Sequence, residues 1–378
     1  MAGETTRLQP ALDEVEISLF GPGYGECVLI HPGDGYWIVV DSCIDPITFI
    51  PAVLSYLDRI GVDSTVAVKQ VIATHWHDDH IRGLGKVFRA CRNAEFVCSE
   101  AISNEEFTWI VMAYGHRIMT ESPSGVDELR EVLEELTLRA KDSGLSRIVP
   151  QFAVANKCIW TSHITSAGVE CSVHSLSPSD IALVMSKLDI AKLIPELKEA
   201  KRSILPFSEN RAAVALWVSI GGLRVLLGAD LEETGDKQTG WSVIVNSSAR
   251  PQGKASAFKI PHHGSKNAHH PAVWSDLLDK NPVAFLTPYR VGSNILPAVE
   301  DIDRICSLTD SAYTTAESPR GKIIKRDKTV EKMIKERGRD IRQIYTTLGH
   351  VRLRAHQECP WTVDLFDGAR PLCQLRAA

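Results

Sequence analysis

Thr74-His75-Trp76-His77-Asp78-Asp79-His80-Ile81-Arg82-Gly83 puts four potential metal ligands, His75, His77, Asp79 and His80, within six residues. Apolar or β-branched residues (Val66, Val68, Val71, Ile72, Thr74) lead into it, so a buried strand is expected to end at His75. A turn after such a strand cannot keep so many ionisable groups among apolar neighbours without a compensating partner. Imidazole and carboxylate together suit zinc or a similar first-row divalent ion. His75 and His77 stand two apart, so in extended backbone both face one side and can share one ion. Asp79 and His80 fall where the chain turns into a helix expected over Ile81 to Cys91, and can face a second ion.

The spacing His75-x-His77-x-Asp79-His80 resembles the signature of the metallo-β-lactamase-fold hydrolases. That resemblance implies an α/β architecture, a four-layer αβ/βα sandwich with one or two metals in the crevice between its sheets. Gly21-x-Gly23-x-Gly25-Glu26-Cys27-Val28-Leu29-Ile30, followed by Ile38-Val39-Val40-Asp41, is similar to the subgroup typified by the hydrolase domain of ComEC, the bacterial DNA-uptake protein. Taken alone, the glycine-rich stretch reads as a turn, because tight turns use glycine for positive φ. The likeness covers residues 13–325 as a hydrolase domain, interrupted by a helical insertion over 101–146. Residues 326–378 then form an extension, a basic helical segment and a terminal hairpin.

The resemblance also implies a site. Asp41, at the end of a strand, supports the metals from behind the ligands. Asp230 ends the strand Leu223 to Leu227 and stands where the family has an aspartate that bridges two ions, here with Ala229 in place of a direct Gly-Asp step. Pro261-His262-His263-Gly264-Ser265-Lys266 is a second histidine cluster. One of its pair ligates the second metal; the expectation takes His263 as that ligand and His262 as proton donor or phosphate contact. Ser265 and Lys266 can donate to anionic oxygens. Asn210 occupies the place where the subgroup has asparagine instead of a third histidine. His174, His116, His269 and His270 are not taken as ligands. The metal set is therefore His75, His77, Asp79, His80, Asp230 and His263, holding two divalent ions, zinc with manganese as the alternative. Leu296-Pro297 replaces the family's histidine-proline, which departs from its substrate contacts.

Away from the two clusters, strands are expected at Val15–Phe20, Cys27–Ile30, Tyr36–Val40 and Glu95–Cys98, with a helix over Pro46–Ile60. Glu105–Tyr114 and Val126–Lys141 carry apolar residues at helical spacing, a pair with a packed inner face beside the site. Lys157–His163 with Val169–Leu176 reads as a hairpin, followed by a helical stretch over Ile181–Lys201 and a strand over Ala212–Ile220. Ala255–Ile260 and Val283–Thr287 are strands, and Pro271–Leu278 and Val299–Leu308 helices. Ala312–Thr315 with Gly321–Ile324, and Gly349–Ala355 with Trp361–Phe366, read as two further hairpins.

The chain has 378 residues, 44 % of them hydrophobic and 24 % charged, the composition of an ordinary globular protein. A net charge of −5 gives no general attraction to nucleic acid or to membranes. Residues 320–342 oppose that balance, with ten lysines and arginines against four acids. Nine cysteines form an odd set without a CxxC pair, which reads as reduced and cytoplasmic. No apolar run approaches the length of a membrane span, and the first residues lack a signal core.

Together these features predict a metal-dependent hydrolase in which Asp79, His262, Asn210 and Lys266 serve catalysis. A phosphodiesterase or nuclease cleaving DNA, in a bacterial defence or nucleic-acid-processing system, is the expected activity. A small-molecule phosphodiesterase or other ester hydrolase, and a metal-stabilised subunit active only with a partner bound through the C-terminal segment, are the alternatives.

Overall fold

The computed structural model describes residues 8–23, 25–102, 125–144, 148–191, 209–291, 294–317, 347–357 and 359–377. The first part of the chain lays down β1 (Val15–Pro22), β2 (Cys27–Gly33), β3 (Tyr36–Val40), β4 (Val68–Ala73), β5 (Glu95–Ser99) and β6 (Gln151–Ala153). A second run follows with β7 (Lys157–Ile164), β8 (Val169–Ser175), β9 (Leu216–Ile220), β10 (Leu223–Leu227), β11 (Ala255–Lys259) and β12 (Leu278–Leu286). After the short ribbon β13 (Tyr289–Val291) and β14 (Asn294–Leu296) comes β15 (Ala312–Thr314). The chain then returns to both sheets through β16 (Leu348–Ala355), β17 (Thr362–Phe366) and β18 (Arg370–Pro371). Two eight-stranded sheets result, in the orders β17-β16-β1-β2-β3-β4-β5-β6 and β18-β15-β12-β11-β10-β9-β8-β7.

Three apolar layers explain why these strands form two sheets rather than one. Alternate residues of the first sheet (Ile17, Leu19, Ile30, Ile38, Val40, Ile72) meet Val173, Leu216, Val218, Val225 and Leu227 of the second in the central core. The opposite face of the first sheet (Leu29, Trp37, Val39, Val71, Phe96) is covered by helices α1 (Ala52–Arg59), α4 (Leu84–Ala90) and α5 (Gly125–Asp142). On the far face of the second sheet, Trp217, Leu226, Phe258 and Leu286 pack against α7 (Gly240–Asn246) and α8 (Val299–Leu308). Helix–sheet–sheet–helix is the expected metallo-β-lactamase sandwich. Between these helices lie α2 (Ser64–Ala67), α3 (Asp78–Ile81) and α6 (Asp180–Ala191).

Several boundaries differ from the sequence expectation for local reasons. Val66 leaves the strand because Asp63 caps α2, accepting from Thr65 N at 2.9 Å. The helix expected from Pro46 begins at Ala52: the Asp45 carboxylate holds the Ile47 and Thr48 N–H groups in a turn, and Pro51 disfavours helix in the residue before it. The helix expected from Ile81 is divided into α3 and α4 by Gly83 at φ 84°. Pro271–Leu278 is a single π turn, Val273–Leu277, running into β12. Within the insertion, α5 presents Leu129, Val132 and Leu136 to the helical layer, while 103–124 lie outside the described residues. So do His116, Gly321–Ile324 and the basic stretch 320–342; β15 instead pairs with β12 and β18.

The expected terminal hairpin forms, but it is no appendage: β16 lies antiparallel to β1 along the latter's whole length. Cys306 on α8 and Cys373 in the last turn form a disulfide, in contrast to the fully reduced set expected. That bond removes the thiol argument for a reducing compartment. No described helix is long and apolar enough to cross a membrane.

Candidate metal centre

Strands β3, β4 and β5 are parallel to one another, as are β10, β11 and β12, so both sets end at one rim of the sandwich. In parallel sheets the carboxyl ends of strands are where side chains from different strands converge. Asp41 follows β3, the His75–His80 turn follows β4, Asp230 follows β10 and the His262-His263 corner follows β11. The glycine-rich turn between β1 and β2 packs beneath them. A Cβ on Gly25 would lie 2.1 Å from the Asp79 carbonyl oxygen, and the next N–H, that of Glu26, donates to that oxygen at 2.8 Å. Glycine is needed there for close approach, and the stretch therefore acts as a seat for the histidine turn.

Two groups of ligand atoms, each within 4.8 Å, lie side by side: His75, His77 and Asp230, and Asp79, His80, Asp230 and His263. Asp230 belongs to both. Its Oδ1 is 3.2 Å from His80 Nε2 and its Oδ2 3.5 Å from His263 Nε2, while Asp79 Oδ2 is 3.3 Å from His263 Nε2. His75 Nε2 faces His77 Nδ1 at 3.1 Å. His80 Nε2, His263 Nε2 and Asp230 Oδ1 are buried without a hydrogen bond of acceptable geometry. Buried polar atoms left this way need a partner, and imidazole with carboxylate is a donor set for a divalent cation. The residues therefore fit the cations that the fold implies.

The rings are held from behind. Asp41 accepts from Thr74 N at 2.8 Å and from Thr74 Oγ1 at 2.7 Å, and pairs with His80 Nδ1 at 2.7 Å. His263 Nδ1 donates to the Thr287 carbonyl at 2.9 Å, and its ring stacks on Tyr289 with centroids 4.9 Å apart. Such contacts fix the tautomer, leaving Nε2 of both rings for the cluster. Asp41 thus stands between Thr74 and His80.

Charge shapes the pocket as well. Burial, with the neighbouring His80 and His77, holds the His75 imidazole well below its usual pKa, and burial lowers that of His77. Burial also opposes protonation of His80 and His263, but carboxylates prevail, Asp230 and Asp41 at His80 and Asp230 and Asp79 at His263, and both are raised. A carboxylate-rich pocket of this kind attracts positive charge. Asp41 (φ 62°), Ala229 (φ 44°), His262 (φ 46°) and His263 (φ 54°) all take left-handed backbone here. Strain gathered in non-glycine residues at one rim is a mark of functional sites.

The remaining site residues fall just outside the two groups. His262 pairs through Nδ1 with Asn267 Oδ1 at 3.0 Å and lies 3.3 Å from Glu232 Oε1; its Nε2 is 3.4 Å from Asn210 Nδ2. Asn210 and Asn267 each donate to Glu232 Oε1 at 3.1 Å. Asn210 is thus placed at His262. Ser265 and Lys266 lie on the following turn, with Lys266 exposed. Among the described residues His174, His269 and His270 belong to neither ligand group.

Sequence reasoning missed five residues. Glu26 and Lys259, 2 % and 1 % exposed, form an ion pair beneath the cluster. Glu232 and Asn267 hold His262. Glu128 of α5 reaches across to accept from Gly83 N at 2.7 Å and Gly85 N at 3.1 Å, bracing the chain just after His80. A lysine closing an otherwise apolar strand was the one signal that could have found Lys259.

The chain was also compared with known proteins. The family model for the metallo-beta-lactamase superfamily matches residues 20–140, which carry the first histidine cluster. Among solved structures, the metallo-beta-lactamase fold protein YhfI from Bacillus subtilis is 13 % identical over 65 % of this chain and 70 % of its own, at a TM-score of 0.32. The class B3 di-zinc metallo-beta-lactamase LRA-12 from an Alaskan soil metagenome is 12 % identical over 59 % of this chain and 62 % of its own, at 0.32. The subclass B3 enzyme BJP-1 of Bradyrhizobium japonicum is 11 % identical over 60 % and 65 %, at 0.30. At that level of likeness nothing of their activities passes to this chain. The class defined by fold and site is a metallo-β-lactamase-type sandwich with a His/Asp cluster suited to divalent cations.

Proposed function

We propose that the chain is a metal-dependent phosphodiesterase, and that DNA is its substrate. One observation carries the reading: a histidine outside the ligand groups, His262, is held beside two cation-ready groups that share Asp230. His75, His77 and Asp230 would hold one ion; Asp79, His80, His263 and Asp230 the other. Two divalent cations so placed would supply Lewis acidity toward phosphoryl oxygens and a nucleophile from water near neutral pH.

The protein's own groups do the rest. Asn267 and Glu232 face Nδ1 of His262 as acceptors, so the ring, once Nε2 also carries a proton, can pass that second proton to the departing oxygen and return to the neutral form. Asn210 offers an amide N–H beside that nitrogen to a non-bridging oxygen. Ser265 and Lys266 add donors for an anionic substrate at the rim. The choice of DNA rests on the ComEC-like loop and strand pattern and on the basic residues 320–342, the segment through which a nucleic acid or a protein partner would bind.

Purified protein, metal-loaded, is expected to cleave both plasmid DNA and bis-p-nitrophenyl phosphate, and to lose both activities with EDTA. Cleavage of the small ester but never of DNA would reassign it to small phosphodiesters. Two bound metals with no turnover on either would favour a subunit completed by a partner.

A further inference from the structure

Lys259 is a buried ammonium at the end of a strand, where an apolar side chain would pack without desolvation cost. Its Nζ pairs with Glu26 Oε1 and donates to the Ala229 carbonyl at 2.9 Å. That carbonyl also accepts from His262 N at 3.0 Å, and Gly228 N in turn donates to the Lys259 carbonyl at 3.0 Å. Ala229 is the left-handed residue immediately before Asp230. Such a conformation persists in a non-glycine residue only where its surroundings hold it. Lys259 Nζ stays 3.8 Å from Asp230 Oδ1, too far to bond it, so the carboxylate keeps that oxygen for the cluster.

We propose that Lys259 is a positioning residue that aims Asp230: braced by Glu26, its ammonium grips the Ala229 carbonyl and sets the direction in which the shared carboxylate enters the metal pocket. Glu26 is the brace because both of its oxygens lie beneath the cluster, 3.8 Å from His80 Nδ1 and from His263 Nδ1. A chain with Gly-Asp at 229–230 would make the same bend unaided. This one has Ala229, and a lysine to hold it.

The proposal rests on the reading that the cluster binds two divalent ions. Its test is titration of the metal-free protein with Co2+, followed by visible absorption, for wild type and for the double variant Lys259→Met with Glu26→Met. Replacing both charges by apolar groups of similar length removes the grip without leaving an unpaired buried ion. Wild type is expected to take two ions. The variant is expected to fold, keep one, bind the other about 10–100-fold more weakly, the scale of losing an outer support, and show an altered cobalt spectrum. Two ions bound with unchanged affinity and spectrum would overturn the proposal, as would failure to fold, which marks a merely structural pair. Wild type taking fewer than two ions would instead overturn the two-metal reading itself.

Discussion

Two buried polar clusters border the first sheet, and they are built on opposite plans. At its front rim the metal centre gathers His75, His80, Asp41 and Asp230, and leaves ligand atoms without hydrogen bonds on strained backbone. Behind, between β1 and β16, Glu16 accepts from Ser18 and Tyr56 through Oε1, each at 2.7 Å, and from Arg354 through Oε2 at 2.8 Å. His350 pairs with Ser18 Oγ at 2.9 Å and stacks on Phe20. Both regions pay the desolvation of burial, but the rear one closes on its own partners. A cluster satisfied internally specifies structure; one left open is prepared for a partner that the chain does not encode.

The comparison can be broken by substitution. Asp230→Ala is expected to lower turnover on a phosphodiester by on the order of a thousandfold, the scale of removing a group that stabilises transition-state charge. The melting temperature of the metal-free protein should change little, because the substitution removes the desolvation cost of a buried carboxylate together with its attraction to the buried His80 and His263 imidazoles. A large fall in apo stability would place the front cluster with the rear one. Arg354→Met should do the reverse, since breaking one partner from a buried pair costs about 3–5 kcal/mol. Urea unfolding would show that loss, while metal stoichiometry per folded molecule remains that of wild type.

Acid should sharpen the contrast by a smaller amount. Burial holds His31 down to about 4 and His350 well below its ordinary value. Both folded pKa values lie beneath the unfolded one near 6.5, so between them the unfolded chain binds more protons. Their contribution is complete above pH 6.5 and is lost as pH falls toward the folded values, by roughly 1 kcal/mol per pH unit for each. Urea midpoints of the metal-free protein should decline from pH 6.5 to 5; a level profile would contradict the burial of these imidazoles.

The first histidine cluster was legible because its ligands lie within one turn, where spacing alone sets which side chains share a face. Several strands and helices were legible too, since β3, β10 and α8 follow simple apolar periodicity. Helix boundaries at Ala52 and Gly83 were not, because Asp45, Pro51 and a left-handed glycine override that periodicity locally. Nor was the place of the C-terminal hairpin, since edge addition and insertion beside β1 look alike in an alternating strand.

From residues alone came the chemistry, a histidine- and aspartate-rich pair of corners suited to divalent cations; the α/β frame came from the family resemblance those corners carry. What only the tertiary structure decided is which atoms of those corners meet, and what stands behind them. Asp230 and His80 are far apart in sequence, and Lys259, Glu26, Glu128 and Glu232 read as ordinary charges until folding buries or pairs them. Strand order across two sheets sets those encounters, and it is chosen by burial summed over the whole core rather than by any one segment.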